Sequence, residues 1–126
     1  MVRVRFRVGG LLSSADYVQA QRVRNVLKRE FAAVLQKVDV IVSPTMSNPA
    51  PTFATVDGMT TARRPSFTGP YNLTGMPAIS VPGGFTAAGL PIGLQIAGKP
   101  FDEPTVLRMA YAYQQHTRWF EKRPPM

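Results

Sequence analysis

Three short stretches constrain the fold most. Val38–Ser43, Ala78–Val81 and Pro91–Ala97 are apolar at most positions, not at every second one. A strand with one wet face alternates, whereas runs of Val and Ile suit strands covered on both faces. Each run is punctuated. Pro44 ends the first, because proline cannot donate to a ladder. Pro82, Gly83 and Gly84 break the second, and Ala87–Leu90 is a turn leading into the third.

Helical patterns separate these strands. Ser13 or Ser14 caps the first helix, and Asp16, three after Ser13, completes a capping box. Ala20, Val23, Leu27, Phe31, Val34 and Val38 then recur at steps of three and four, which predicts one buried face. Thr68 is the expected N-cap of a short helix, with Pro70 in its first turn and Gly75 closing it. Asp102 opens a last helix whose expected face carries Leu107, Ala110, Tyr111 and Gln114. Residues 44–67 are rich in Pro, Thr, Ser and Ala and read as a long irregular loop. Residues 2–8 alternate Val or Phe with Arg, a period-two pattern that argues for a strand. Strands separated by helices predict an α/β fold with helices packed on a sheet. Three core strands are few for an independent layered domain, which points to missing neighbours.

The chain has 126 residues, 44% of them hydrophobic, enough to bury a core. Fifteen Lys and Arg against seven Asp and Glu give a formal charge of +8. That balance favours nucleic acid or membrane surface as a partner. The charges are scattered over helix faces, however, and a piece of a larger protein with acid elsewhere explains them more simply. No cysteine is present, which excludes disulfides, zinc–thiolate sites and cysteine nucleophiles. The basic start is followed only by Leu11-Leu12, too short for a signal peptide, and no run approaches the roughly 20 apolar residues of a membrane span. A cytoplasmic location without membrane contact is the expectation.

Residue types that carry chemistry have plain structural alternatives. Ser13-Ser14 lies between Leu12 and Ala15 at a helix start, where capping accounts for it. His116 sits near the end of the last helix, where a cation is favourable. Lys28, Lys37, Lys99 and Lys122 fall on polar helix faces, turns or the tail. Asp and Glu show no ligand spacing, so no metal and no cofactor is called for. Gly98-Lys99 is followed by Pro100, which departs from a phosphate-binding loop. Arg3, Arg5, Arg7, Arg22, Arg24, Lys28 and Arg29 would form the basic surface of a nucleic-acid module, the rival reading, but no base-stacking motif accompanies them.

The run Thr68-Gly69-Pro70-Tyr71-Asn72-Leu73-Thr74-Gly75-Met76-Pro77-Ala78-Ile79-Ser80-Val81-Pro82, followed by Gly89-Leu90-Pro91-Ile92-Gly93-Leu94-Gln95-Ile96, resembles the C-terminal part of the amidase signature family. Ala15–Arg24, Asp39–Thr45 and Phe101–Tyr113 look like further elements of it, so the resemblance covers nearly the whole chain. It implies helices packed on a small mixed sheet, with residues 1–126 an incomplete C-terminal segment of an amidase domain. It also implies that residues 2–8 are the end of a helix closed by Gly9, against the alternation.

The family hydrolyses amide carbon–nitrogen bonds with a Ser, a second Ser across a cis peptide, and a Lys. These lie upstream of the matching region, so the resemblance implies no catalytic residue here. Phe67, Thr68, Asn72 and loop 46–66 become the substrate-pocket candidates. The implied partners are an amide substrate in the intact enzyme, and self-association or a separate chain carrying the catalytic half. Members acting on glutamine tend to carry an acidic residue just before the Phe-Thr pair. Pro65-Ser66 stands there in this chain, which favours a general amidase.

Overall fold

The computed structural model describes residues 7–55 and 67–123. Its elements are α1 (Ser14–Leu35), β1 (Val40–Pro44), a 3-10 turn (Phe53–Thr55), α2 (Gly69–Thr74), β2 (Ala78–Phe85), β3 (Pro91–Gly98), α3 (Glu103–Thr117) and a second 3-10 turn (Trp119–Glu121). The expected α/β architecture of helices on a small sheet is present, although the described sheet is antiparallel throughout and not mixed. The three strands lie in the order β1-β3-β2, and both pairings are antiparallel. Residues 7–9 are helical, as the resemblance implies; the rest of the alternating stretch lies outside the described residues.

β3 is central in the sheet, and helices cover both of its faces. Ile96 on one face joins Val81, Val106 and Ala110, with Val40, Ile79, Leu94 and Tyr113 around them; this is the α3 side. Ala97 on the other face joins Leu35, Tyr71 and Met76, with Phe31 and Ile41 against them; this is the α1 and α2 side. The lack of alternation in the Pro91–Ala97 run therefore has the expected physical cause.

The start of α1 follows its sequence signal. Ser13 Oγ accepts from the Asp16 N–H at 3.1 Å, and an Asp16 carboxylate oxygen accepts from the Ser13 N–H at 3.0 Å. Hydrogen bonds from the Ser13 hydroxyl and then its N–H hold the Asp16 carboxyl below the usual carboxylate range. The expected apolar stripe needs correction. Leu35 is buried and Arg24, Leu27 and Phe31 are half-buried, while Ala20, Val23, Val34 and Val38 are exposed. The contacts that decide the face come from α2. Phe31 packs a tilted ring on Tyr71 at 5.7 Å, and Arg24 Nε donates to the Leu73 carbonyl at 2.5 Å. That carbonyl is one of the unpaired acceptors at a helix C-terminus, where a cation is favoured.

Three further corrections arise from packing. β2 does not break at Pro82–Gly84. It continues to Phe85 through a bulge, with Pro82 opposite Gly93 and Gly84 opposite Ile92. Pro82 is tolerated because β2 is an edge strand, and Gly84 takes φ +132, a conformation open to glycine. Thr68 holds the N-cap position of α2 but makes no side-chain cap hydrogen bond, whereas Gly75 closes the helix in the left-handed region as expected. On α3 the face turned to the sheet carries Val106 and Ala110; Leu107 and Tyr111 are 56% and 65% exposed. After α3, Trp119 meets the edge of Phe85 at 6.1 Å, and Lys122 Nζ lies 4.9 Å from the Trp119 ring. The tail thus docks on the bulged end of β2.

Candidate functional site

The half of the sheet face beyond α1 and α2 is polar. Ser43, Gln95 and Ser80 share one row across the three strands. Gln95 is buried, and its amide nitrogen donates to the Phe67 carbonyl at 3.0 Å and to Ser43 Oγ at 3.4 Å. One step along, Thr45 Oγ1 and Ser80 Oγ hydrogen-bond at 2.6 Å. Thr45 extends β1, with its N–H donating to the Gly93 carbonyl at 2.9 Å. The two hydroxyls come from the outer strands and meet over Gly93 of the central one. A Cβ at Gly93 would lie 2.7 Å from Thr45 Oγ1 and 2.9 Å from Ser80 Oγ, so this meeting requires glycine.

Thr45, Ser80 and Gly93 floor an open cleft of about 760 Å³. Its walls are the segment Pro44–Pro51, Phe67, Thr86, Pro91 and Ile92. Three prolines in the first wall, Pro44, Pro49 and Pro51, limit its backbone freedom. None of the described lining residues is charged. The cleft is the size of a small-molecule site, apolar with a few convergent polar groups.

Among the expected pocket residues, Phe67 lines this cleft and Thr68 follows it at the start of α2. Asn72 is exposed on α2 and is not among the lining residues. Residues 46–51 of the expected loop form the wall; its part from 56 to 66 lies outside the described residues. Reading the sequence missed Thr45, Ser80, Gly93 and Gln95. A signal existed, since polar residues interrupt strands that are otherwise apolar, but their convergence depends on register.

Ser13 and Ser14 stand at the α1 N-terminus, remote in role from the cleft. His116 is exposed in the last turn of α3. Among the described residues, no three His, Cys, Asp or Glu are grouped so as to hold a metal ion. Arg22, Lys28 and Arg29 border a shallow depression on α1, while Arg24 is engaged with α2 and Arg3 and Arg5 lie outside the described residues. No described helix is long and apolar enough to cross a membrane.

Comparison with known proteins extends this picture. The chain is 51% identical over 111 residues to a glutamyl-tRNA(Gln) amidotransferase subunit of Methanosarcina barkeri, covering 86% of this chain and 23% of that protein. The solved glutamyl-tRNA(Gln) amidotransferase subunit from Thermotoga maritima matches with a TM-score of 0.71 at 37% identity, covering 90% of this chain and 26% of the other. The peptide amidase of Stenotrophomonas maltophilia matches with a TM-score of 0.66 at 29% identity, covering 90% and 22%. The chain thus spans about a quarter of the length of these relatives. The family model for amidases matches residues 1–107. The chain belongs to the amidase family.

Proposed function

We propose that these 126 residues are a C-terminal segment of an amidase-signature amidohydrolase. In that enzyme a Ser, a cis-Ser and a Lys hydrolyse an amide carbon–nitrogen bond, and this segment supplies scaffold and one wall of the substrate cleft. The observation that carries the reading is the cleft itself, built where the family's pocket candidate Phe67 meets the polar half of the sheet. The sequence holds one Ser-Ser pair, Ser13-Ser14, at the start of α1, where Ser13 makes the N-cap bonds. The catalytic portion then covers the exposed apolar residues of α1, among them Val18, Val23, Val26 and Val34.

A second reading takes the intact protein as one component of an amidotransferase that works with other chains. The 51% identity to a component of glutamyl-tRNA(Gln) amidotransferase favours it. Pro65-Ser66, in place of an acidic residue before Phe67-Thr68, favours a general amidase. A basic nucleic-acid or protein-interaction module without catalysis is the reading from another class, and it rests on the +8 charge.

The pure chain is expected to hydrolyse no simple amide above background, since loss of a whole catalytic unit removes many powers of ten in rate. Ammonia release from a panel of aliphatic amides measures this. Turnover that disappears in Ser14→Ala would overturn the assignment of chemistry elsewhere.

A further inference from the structure

We propose that Gln95 is the positioning residue of the cleft: its side-chain amide ties two of the walls together and so sets the gap that a substrate enters. The proposal rests on reading the cleft as part of a substrate site. It gives a role to a buried side chain that does not itself line the cleft.

Gln95 is 4% exposed on the central strand, level with Ser43 of β1 and Ser80 of β2. A primary amide nitrogen carries two protons. Gln95 Nε2 donates to the Phe67 carbonyl at 3.0 Å and to Ser43 Oγ at 3.4 Å. The nitrogen must face Phe67, because a carbonyl only accepts and the amide oxygen has nothing to donate. Each acceptor stands at the root of a wall. Ser43 immediately precedes the Pro44–Pro51 wall, and Phe67 is a wall residue itself. The two bonds thus join segments that lie 28 and 52 residues from Gln95 along the chain.

The two partners differ in what they tolerate. The Ser43 hydroxyl can turn from acceptor to donor, but the Phe67 carbonyl cannot. A carboxylate at position 95 would therefore keep Ser43 and repel Phe67. A protonated carboxyl has one O–H and would donate it to Phe67. Burial beside a carbonyl favours that protonated form and raises the pKa of a carboxyl placed there. None of the three strands carries Asp, Glu, His, Lys or Arg, and no described lining residue is charged. A carboxyl at position 95 thus titrates with no charged neighbour on the sheet or in the lining, and its protonation switches one wall contact without touching the other.

NMR of the full 126-residue chain is the test. In the parent, the Gln95 side-chain NH2 is expected to exchange with water about tenfold more slowly than that of the exposed Gln36. It should also show scalar coupling to the Phe67 carbonyl carbon. At neutral pH, Gln95→Glu should move the Phe67 ring signals and leave those of Ser43 in place. It should weaken benzyl alcohol, a neutral apolar probe of the cleft, about fivefold, the size of one lost hydrogen bond. Acidification should restore both in this variant. Gln95→Met, which keeps the length and lacks the donors, should show the loss at every pH. Rapid Gln95 exchange in the parent overturns the tie without any variant. Unchanged Phe67 signals and probe affinity in both variants overturn it as well, as does a loss in Gln95→Glu that acid leaves in place. If benzyl alcohol shifts no lining residue of the parent, the substrate reading of the cleft fails, and the Phe67 signals judge the tie between the walls separately.

Discussion

Replacing Ile96 by Ala is expected to lower the stability of the chain by about 2–5 kcal/mol, the usual cost of cutting a large aliphatic side chain from a packed interior. Ile96 has no exposed surface and lies on the central strand, where its side chain joins Val81, Val106 and Ala110. β3 has a neighbour on each side, so the cavity cannot close by moving an edge. Small domains have about 5–15 kcal/mol in all, and this change takes a large share of it. Val42 pairs with Ile96 across the ladder but is 46% exposed, so Val42→Ala is the control and should cost much less. Urea midpoints at low protein concentration measure the difference. Equal losses from the two substitutions would show that the sheet's α3 side is not the packed core described.

Gly98→Ala is the second large effect, and here a single methyl group is added. Its Cβ would lie 2.5 Å from Val106 Cγ2, well inside van der Waals contact. Val106 is buried and β-branched, so it cannot swing aside as a long flexible side chain would. Such overpacking costs about 1–3 kcal/mol. Against it stands the stiffer unfolded chain, which favours Ala over Gly by about 0.4–1 kcal/mol. The net expectation is destabilisation. Combining Gly98→Ala with Val106→Ala should cost less than the sum of the two, because the second change removes the clash. Additive losses, or a Gly98→Ala chain as stable as the parent, would contradict the close approach of α3 to β3.

The elements that local chemistry specifies were legible in the sequence. The capping box fixed the start of α1, Gly75 the end of α2, and runs of Val and Ile located β1 and β3 to within two residues. Which face of each helix is buried was not legible. Val23 and Val34 read as core, yet the side of α1 turned inward is decided by Tyr71 and the Leu73 carbonyl, both far away in the chain. The run Pro82–Gly84 reads as a break, and only the ladder to β3 converts it into a bulge. The candidate site was half legible. Family motifs pointed to Phe67, but Thr45 and Ser80 are brought together by the strand order β1-β3-β2, which no local pattern encodes. Glycine at position 93 falls inside the strand run Pro91–Ala97, and only the two hydroxyls above it show why a side chain there would clash.

If the segment is part of a larger domain, its apolar surface belongs under that domain. Leu11, Leu12, Val18, Val23, Val26 and Val34 are exposed along and before α1, and β1 and β2 each leave an edge unpaired in the described sheet. Such surface drives association. The +8 charge opposes it, and salt near 0.15 M, with a Debye length of about 8 Å, weakens that repulsion. Light scattering coupled to size-exclusion chromatography, run at several concentrations in that salt, is the most direct measurement. The mass is predicted to rise with concentration above the 13.8 kDa of one chain. A mass fixed at 13.8 kDa at every concentration, together with a cooperative melt, would contradict it and make these 126 residues an independent domain.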